Sequence, residues 1–158
     1  DNAARILRAH GVAHALVNIG GNIIALGKHG ARPWHVGVRH PRSPGPMVEL
    51  DLNDGEAIGT SGDYQRYFEL DGRRYCHIID PRTGYPATSA QSLTVLAAPG
   101  PRAGVLSDAA SKPGFIADIR DWEASLKRLG VIAAIHVDES GKIAMSAAMA
   151  RRAKRVRD

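Results

Sequence analysis

Three stretches of this chain carry more Gly, Pro and short polar side chains than packing alone requires. The most demanding is Tyr75-Cys76-His77-Ile78-Ile79-Asp80-Pro81-Arg82-Thr83-Gly84-Tyr85-Pro86. An imidazole titrates near neutrality, so His77 can take a proton from a hydroxyl nucleophile at physiological pH. On a strand, His77 shares a face with Tyr75 and Ile79, while Asp80 falls at the strand end, where Pro81 stops pairing. A lone strand histidine is more often structural than catalytic. A histidine three residues before Asp-Pro-x-Thr-Gly-Tyr-Pro is a much rarer arrangement. The second stretch, Gly59-Thr60-Ser61-Gly62-Asp63-Tyr64, sets hydroxyls between glycines, so several N–H and O–H donors can converge on a phosphate. The competing reading is a turn in which Ser61 satisfies its own backbone. The third, Asn18-Ile19-Gly20-Gly21-Asn22, lets backbone approach a ligand closely, with an amide beside it to bond a phosphate. It reads equally as a plain hairpin turn.

Positioning these groups falls to short strands and a few helices. Ala3, Ile6 and Leu7 recur at helical spacing before Gly11. His14–Ile19 and Asn22–Leu26 are strand-sized and flank Gly20-Gly21 as a hairpin. Trp34, Val36 and Val38 alternate with polar or small residues, the period of a half-buried strand. Met47–Leu52 and Glu56–Thr60 flank Asn53-Asp54-Gly55, and Tyr64–Leu70 and Arg73–Ile79 flank Asp71-Gly72, the strongest hairpin signal present. Ser92–Ala97 is another strand. Ala103–Ser111 reads as a helix that Pro113 ends, and Ile119, Trp122, Leu126 and Leu129 mark an amphipathic helix closed by Gly130. Val131–Val137 and Lys142–Ser146 form a last hairpin before a short helix that enters a basic tail. Antiparallel hairpins with interspersed helices define an α+β fold.

Composition narrows the function classes. At 158 residues the chain is one domain, or part of one, and its opening on Asp1 suggests a piece of something longer. Its single cysteine, Cys76, excludes an internal disulfide and a Cys-rich metal site. No apolar run approaches the ~20 residues that span a bilayer. The net charge is +5, but Arg151, Arg152, Lys154, Arg155 and Arg157 against Asp158 put +4 on the last eight residues, leaving +1 elsewhere. That pattern is a solvated helix end complementing its own dipole, so no nucleic-acid partner is expected.

In this order and spacing the three stretches resemble the ApbE family of FAD:protein FMN transferases, with its Asn-x-Gly-Gly, Thr-Ser-Gly-Asp-Tyr and His-Ile-x-Asp-Pro-x-Thr-Gly-Tyr-Pro segments. The resemblance runs over essentially residues 1–158 but only the C-terminal half of a family member. Asp1 matches an Asp that closes a Lys-Gly-x-x-x-Asp element, and the half before it is expected to be missing. The resemblance implies an ApbE-like, T-fold-like half-domain and a Mg²⁺-dependent transfer. The FAD pyrophosphate is split, FMN is joined to a Thr or Ser hydroxyl of an acceptor protein, and AMP leaves. It implies His77 as the base, with Asn18, Gly20, Gly21, Ser61, Gly62, Asp80 and Thr83 shaping the flavin-nucleotide site. It implies Asp108 as the metal ligand. Family members are commonly bacterial and exported to the periplasm or lipid-anchored, and a monomer is expected at full length.

One position departs from the family pattern. Where a Thr four residues after Asp108 would share the metal, this chain has Lys112, and Pro113 is expected to push Lys112 out of helical conformation. Three readings stay open: Ser111 replaces the Thr, the Lys112 ammonium supplies part of the metal's charge, or transfer has been lost. Loss would leave a flavin-binding domain that does not split FAD. As half of a larger unit, the segment is also expected to expose apolar surface and to self-associate.

Overall fold

Gly20 and Gly21 both adopt positive φ, 62° and 91°, which a tight hairpin turn demands. They join β1 (Ala15–Ile19) to β2 (Asn22–Leu26) in antiparallel register behind the short helix α1 (Asn2–Ala9). In this computed structural model, which describes residues 1–117 and 120–155, the hairpin opens a six-stranded sheet. The sheet continues through β5 (Ala57–Gly62), β10 (Ala90–Ala97), β11 (Ala133–Asp138) and β12 (Ile143–Met145), antiparallel at every step. β10 is buried along its whole length because both faces of the sheet are covered.

One face packs on a second sheet containing β3 (Trp34–Arg39) and β4 (Pro46–Leu52). Val36 and Val38 point inward, as their alternation predicts, and meet Leu50, Leu96, Ile135 and Val137. The opposite face carries α2 (Ala103–Ile116) and α3 (Trp122–Arg128), whose Phe115, Trp122 and Leu126 pack on Leu93, Val95 and Ala134. Gly59 of β5 lies directly under α2, where a Cβ would come within 2.7 Å of the Ser107 carbonyl oxygen. Its missing side chain lets the helix settle onto the strand. The result is the predicted α+β arrangement of antiparallel hairpins with helices between them.

Two expectations need correcting. Pro113 does not end its helix: α2 continues to Ile116, and Ala117 N–H bonds the Pro113 carbonyl at 2.9 Å. Proline removes one donor from the ladder, but Gly114 and Phe115 are buried against the sheet, and that packing carries the helix through. Lys112 is therefore helical. Nor is the basic tail simply a solvated helix end. After α4 (Ala147–Arg152), Lys154–Arg155 form β13, an added strand on β4. Arg152 makes a two-pronged pair with buried Glu56 at 2.6 and 2.7 Å and also donates to the Asp51 carbonyl. Ile119, Arg157 and Asp158 lie outside the described residues.

His136 of β11 is fully buried and stacks on Trp122, ring centres 5.4 Å apart. Neither of its ring nitrogens has a hydrogen-bond partner among the described residues. Burial holds its pKa below the ordinary histidine value. Among the described residues no helix is long and apolar enough to cross a membrane. Several apolar side chains stand in solvent, notably Tyr85 (72% exposed), Ile19 (68%) and Phe68 (61%).

Candidate functional site

The hairpin of β6 (Tyr67–Leu70) and β7 (Arg73–Cys76) turns at Asp71-Gly72, both with positive φ, and delivers His77 at its base. The strand pattern breaks there: β7 ends at Cys76, and β8 (Ile79–Asp80) then pairs with β9 (Tyr85–Pro86). Burial still alternates through the break, with Cys76, Ile78 and Asp80 inside and His77 and Ile79 outside. The His77 backbone N–H donates to the Arg66 carbonyl at 3.1 Å, and the ring Nδ1 meets the same oxygen at 3.1 Å. A carbonyl only accepts, so Nδ1 carries a proton, and in the neutral ring the lone pair falls on Nε2. The exposed ring is thus held in the tautomer a general base needs.

The turn after His77 is tied by its own polar groups. The Asp80 carboxylate accepts from Arg82 N–H at 2.9 Å and from its guanidinium at 2.7–3.1 Å, which holds the carboxyl below its usual pKa. Thr83 N–H and Gly84 N–H donate to the Asp80 carbonyl, and the Thr83 hydroxyl accepts from Tyr85 N–H at 3.2 Å. Asp80 and Thr83 therefore tie the turn that follows the histidine. Asn18 does similar work across the molecule, its side-chain oxygen accepting from Gly21 N–H at 3.0 Å inside the β1–β2 turn.

The close approach of α2 to β5 joins the second stretch to the helix. Ser61 is buried, and its Oγ lies 2.7 Å from the Ser111 Oγ. Ser111 donates to the Asp108 carbonyl at 2.7 Å, so its one proton is committed and Ser61 is the donor between the two hydroxyls. One turn on, the Lys112 ammonium reaches the same carbonyl at 2.9 Å and the Asp108 carboxylate at 2.7 Å. The N-terminus of α2 is already satisfied, since the Asp1 carboxylate accepts from Gly104 N–H and Val105 N–H at 2.8 and 2.9 Å. Asp1 is thus a helix cap supplied from the start of the chain.

These elements enclose an open, polar cavity of about 470 Å³. It brings together Gly20, Ser61, Gly62, His77, Asp108 and Lys112 from all three stretches and from α2. Asn18, Gly21, Asp80, Thr83 and Ser111 do not line it. The structure adds Thr60, Tyr64, Gln65 and Arg66, which sequence reasoning passed over although they sit in or just after the second stretch. Arg66 and Lys112 set two cations against the single carboxylate of Asp108 on the lining.

The implied divalent metal finds little here. Asp108 offers one carboxylate, its Oδ1 is already taken by an ammonium, and Ser111 is buried with its oxygen accepting from Ser61. Among the described residues, no three His, Cys, Asp or Glu side chains converge on a metal-sized point. As paired in this structure, the described residues form no ready Mg²⁺ site: the one carboxylate on the lining is engaged by an ammonium.

A polar cavity with a net cationic lining and a tautomer-fixed histidine places the chain among α+β domains suited to a phosphate-bearing ligand. Its relatives are more specific. The model of the ApbE family matches residues 1–136, and the chain belongs to that family. A Rhodobacter capsulatus protein named FAD:protein FMN transferase is 41% identical over 143 residues, covering 90% of this chain and 27% of that protein. A Treponema pallidum protein of the same name is 40% identical, covering 73% of this chain and 35% of its own length. The crystal structure of the ApbE protein from Thermotoga maritima superposes with a TM-score of 0.86 at 34% identity, over 96% of this chain and 49% of that one. The Pseudomonas stutzeri flavinyl transferase ApbE gives 0.70 at 31% identity, over 92% of this chain and 44% of that one. The chain thus spans about a third of the curated relatives named here and just under half of the solved ones.

Proposed function

We propose that this chain is the base-bearing half of an FAD:protein FMN transferase. In the reaction, a Thr or Ser hydroxyl of an acceptor protein attacks the FMN-side phosphorus of FAD. The hydroxyl proton passes to His77 Nε2, a phosphoester bond forms, and the P–O–P bond breaks as AMP leaves. The protein must position the pyrophosphate, neutralise its charge and hold the base in reach. The observation that carries the reading is the Nδ1 contact of His77 with the Arg66 carbonyl, which sets the Nδ1–H tautomer in the neutral ring of a histidine lining the same cavity as Ser61 and Gly62. The Mg²⁺ of the family pattern has no ready place among the described residues, and no step here passes through it.

The test uses the protein at its full natural length with FAD and an acceptor bearing a candidate Thr or Ser. AMP is read by chromatography and the acceptor by intact mass. His77→Ala is expected to lower AMP release about 10²- to 10⁴-fold, with FAD affinity within about twofold. Bound FAD without AMP, in the wild type, would overturn transfer in favour of a flavin-binding domain. The Lys112 substitution is the observation that keeps that second reading in view.

A further inference from the structure

We propose that the Lys112 ammonium, clamped on Asp108, is the resident cation of this cavity, so that the nucleotide pyrophosphate binds without a divalent metal. The inference rests on the flavin-nucleotide reading above and names how that site handles charge.

The first ground is geometry. Lys112 Nζ lies 2.7 Å from the Asp108 carboxylate and 2.9 Å from the Asp108 carbonyl, and both residues line the cavity. An ammonium carries three donor hydrogens. Two are spent on Asp108, and the third remains for a phosphate oxygen. The helix that runs on through Pro113 keeps the four-residue spacing on which this clamp depends.

A second ground is connectivity. The carbonyl that holds Lys112 also accepts from Ser111, whose hydroxyl accepts from Ser61 of the glycine-flanked stretch. Cation, serine pair and β5 are therefore one hydrogen-bonded unit, fixed before any ligand arrives. Charge supplies the third ground. A pyrophosphate diester brings two negative charges beside that of Asp108, and the cations on the lining, Arg66 and Lys112, offset two of those three. The Asp108 carboxylate holds the ammonium in place rather than offering a metal a seat.

FAD affinity of the full-length protein, read by flavin fluorescence quenching, tests this together with Mn²⁺ uptake read by electron paramagnetic resonance. Wild type is expected to bind FAD equally, within about twofold, in EDTA and in Mg²⁺, and to take up no Mn²⁺ at Asp108. Lys112→Met is expected to lose about ten- to a hundredfold in FAD affinity, the worth of a charge-assisted hydrogen bond. Lys112→Arg, which keeps the charge, is expected to recover most of that loss and so separates charge from folding. Mn²⁺ uptake by the wild-type FAD complex that Asp108→Asn abolishes would overturn the proposal. So would unchanged affinity in Lys112→Met. If wild type transfers FMN only with a divalent metal, the transferase reading stands and this inference falls. If wild type binds no FAD at all, the flavin-nucleotide reading falls and takes the inference with it.

Discussion

The two ends of β5 set similar chemistry in opposite surroundings. Just before the strand, Glu56 is buried, gripped by both prongs of Arg152 and by Asn53 N–H at 2.8 Å. Beyond Ser61 at the far end, Asp108 and Lys112 meet at one point with side chains 62% and 42% exposed, beside a histidine with a free nitrogen. Where both carboxylate oxygens are answered, the pair holds the fold. Where polar groups are left unanswered on a cavity, they are available to a ligand. Exposed ion pairs contribute little to stability, whereas a buried charge stripped of its partner is costly. The contrast can be broken from either end.

Arg152→Ala is expected to have the largest effect, a loss of about 3–5 kcal/mol in urea unfolding at neutral pH, because it strands the Glu56 carboxylate. Burial by itself raises the Glu56 pKa, but the Arg152 guanidinium and the Asn53 N–H more than offset it and leave it lowered. The pair's stabilisation is therefore complete above the ordinary carboxylate value and lost as pH falls through the lowered one. The gap between wild type and Arg152→Ala should narrow as pH drops below the ordinary glutamate value of about 4.3. A gap that stays constant with pH would mean that Arg152 acts through packing alone.

Gly59→Ala comes next. A methyl group pressed toward the Ser107 carbonyl is expected to cost about 1–3 kcal/mol and to lift α2 off β5. Because that lift also separates Ser61 from Ser111, FAD affinity should fall along with the melting temperature. Loss of stability with affinity intact would show that the helix re-seats without disturbing the cavity. The smallest change is expected from Lys112→Met in unfolding, below about 1 kcal/mol, since the pair it breaks is solvent-exposed. A loss as large as that of Arg152→Ala would erase the difference between the two ends of the strand.

What could be read from the chain follows the range of the interactions. The hairpins at Gly20-Gly21 and Asp71-Gly72 were legible because turn chemistry is local. The buried alternation of Val36 and Val38 was legible for the same reason. The passage of α2 through Pro113 was not, since a local veto was overruled by burial of Phe115 against strands distant in sequence. The basic tail misled because the partner of Arg152 stands 96 positions earlier. At the site, the three stretches pointed to one cavity, and residues of each now line it. Which members would face inward was not legible: Asn18, Asp80 and Thr83 spend their polar atoms within their own turns, a choice that composition does not reveal. The Lys112–Asp108 contact required knowing that the helix continues.

The stacking of Trp122 on His136 gives this chain a built-in optical gauge of acid damage. With the imidazole pKa depressed by burial, the contact is secure above the ordinary histidine range, and its stabilisation drains away as pH falls through the lowered value. An imidazolium beside an indole dims its emission, and water entering the gap shifts that emission to the red. In a Trp34→Phe background, which removes the second indole and its own stack on His29, tryptophan fluorescence along an acid titration should therefore register the loosening of α3 from the sheet, with no label attached. His136→Phe, which removes the proton site and keeps a ring against Trp122, should flatten that step.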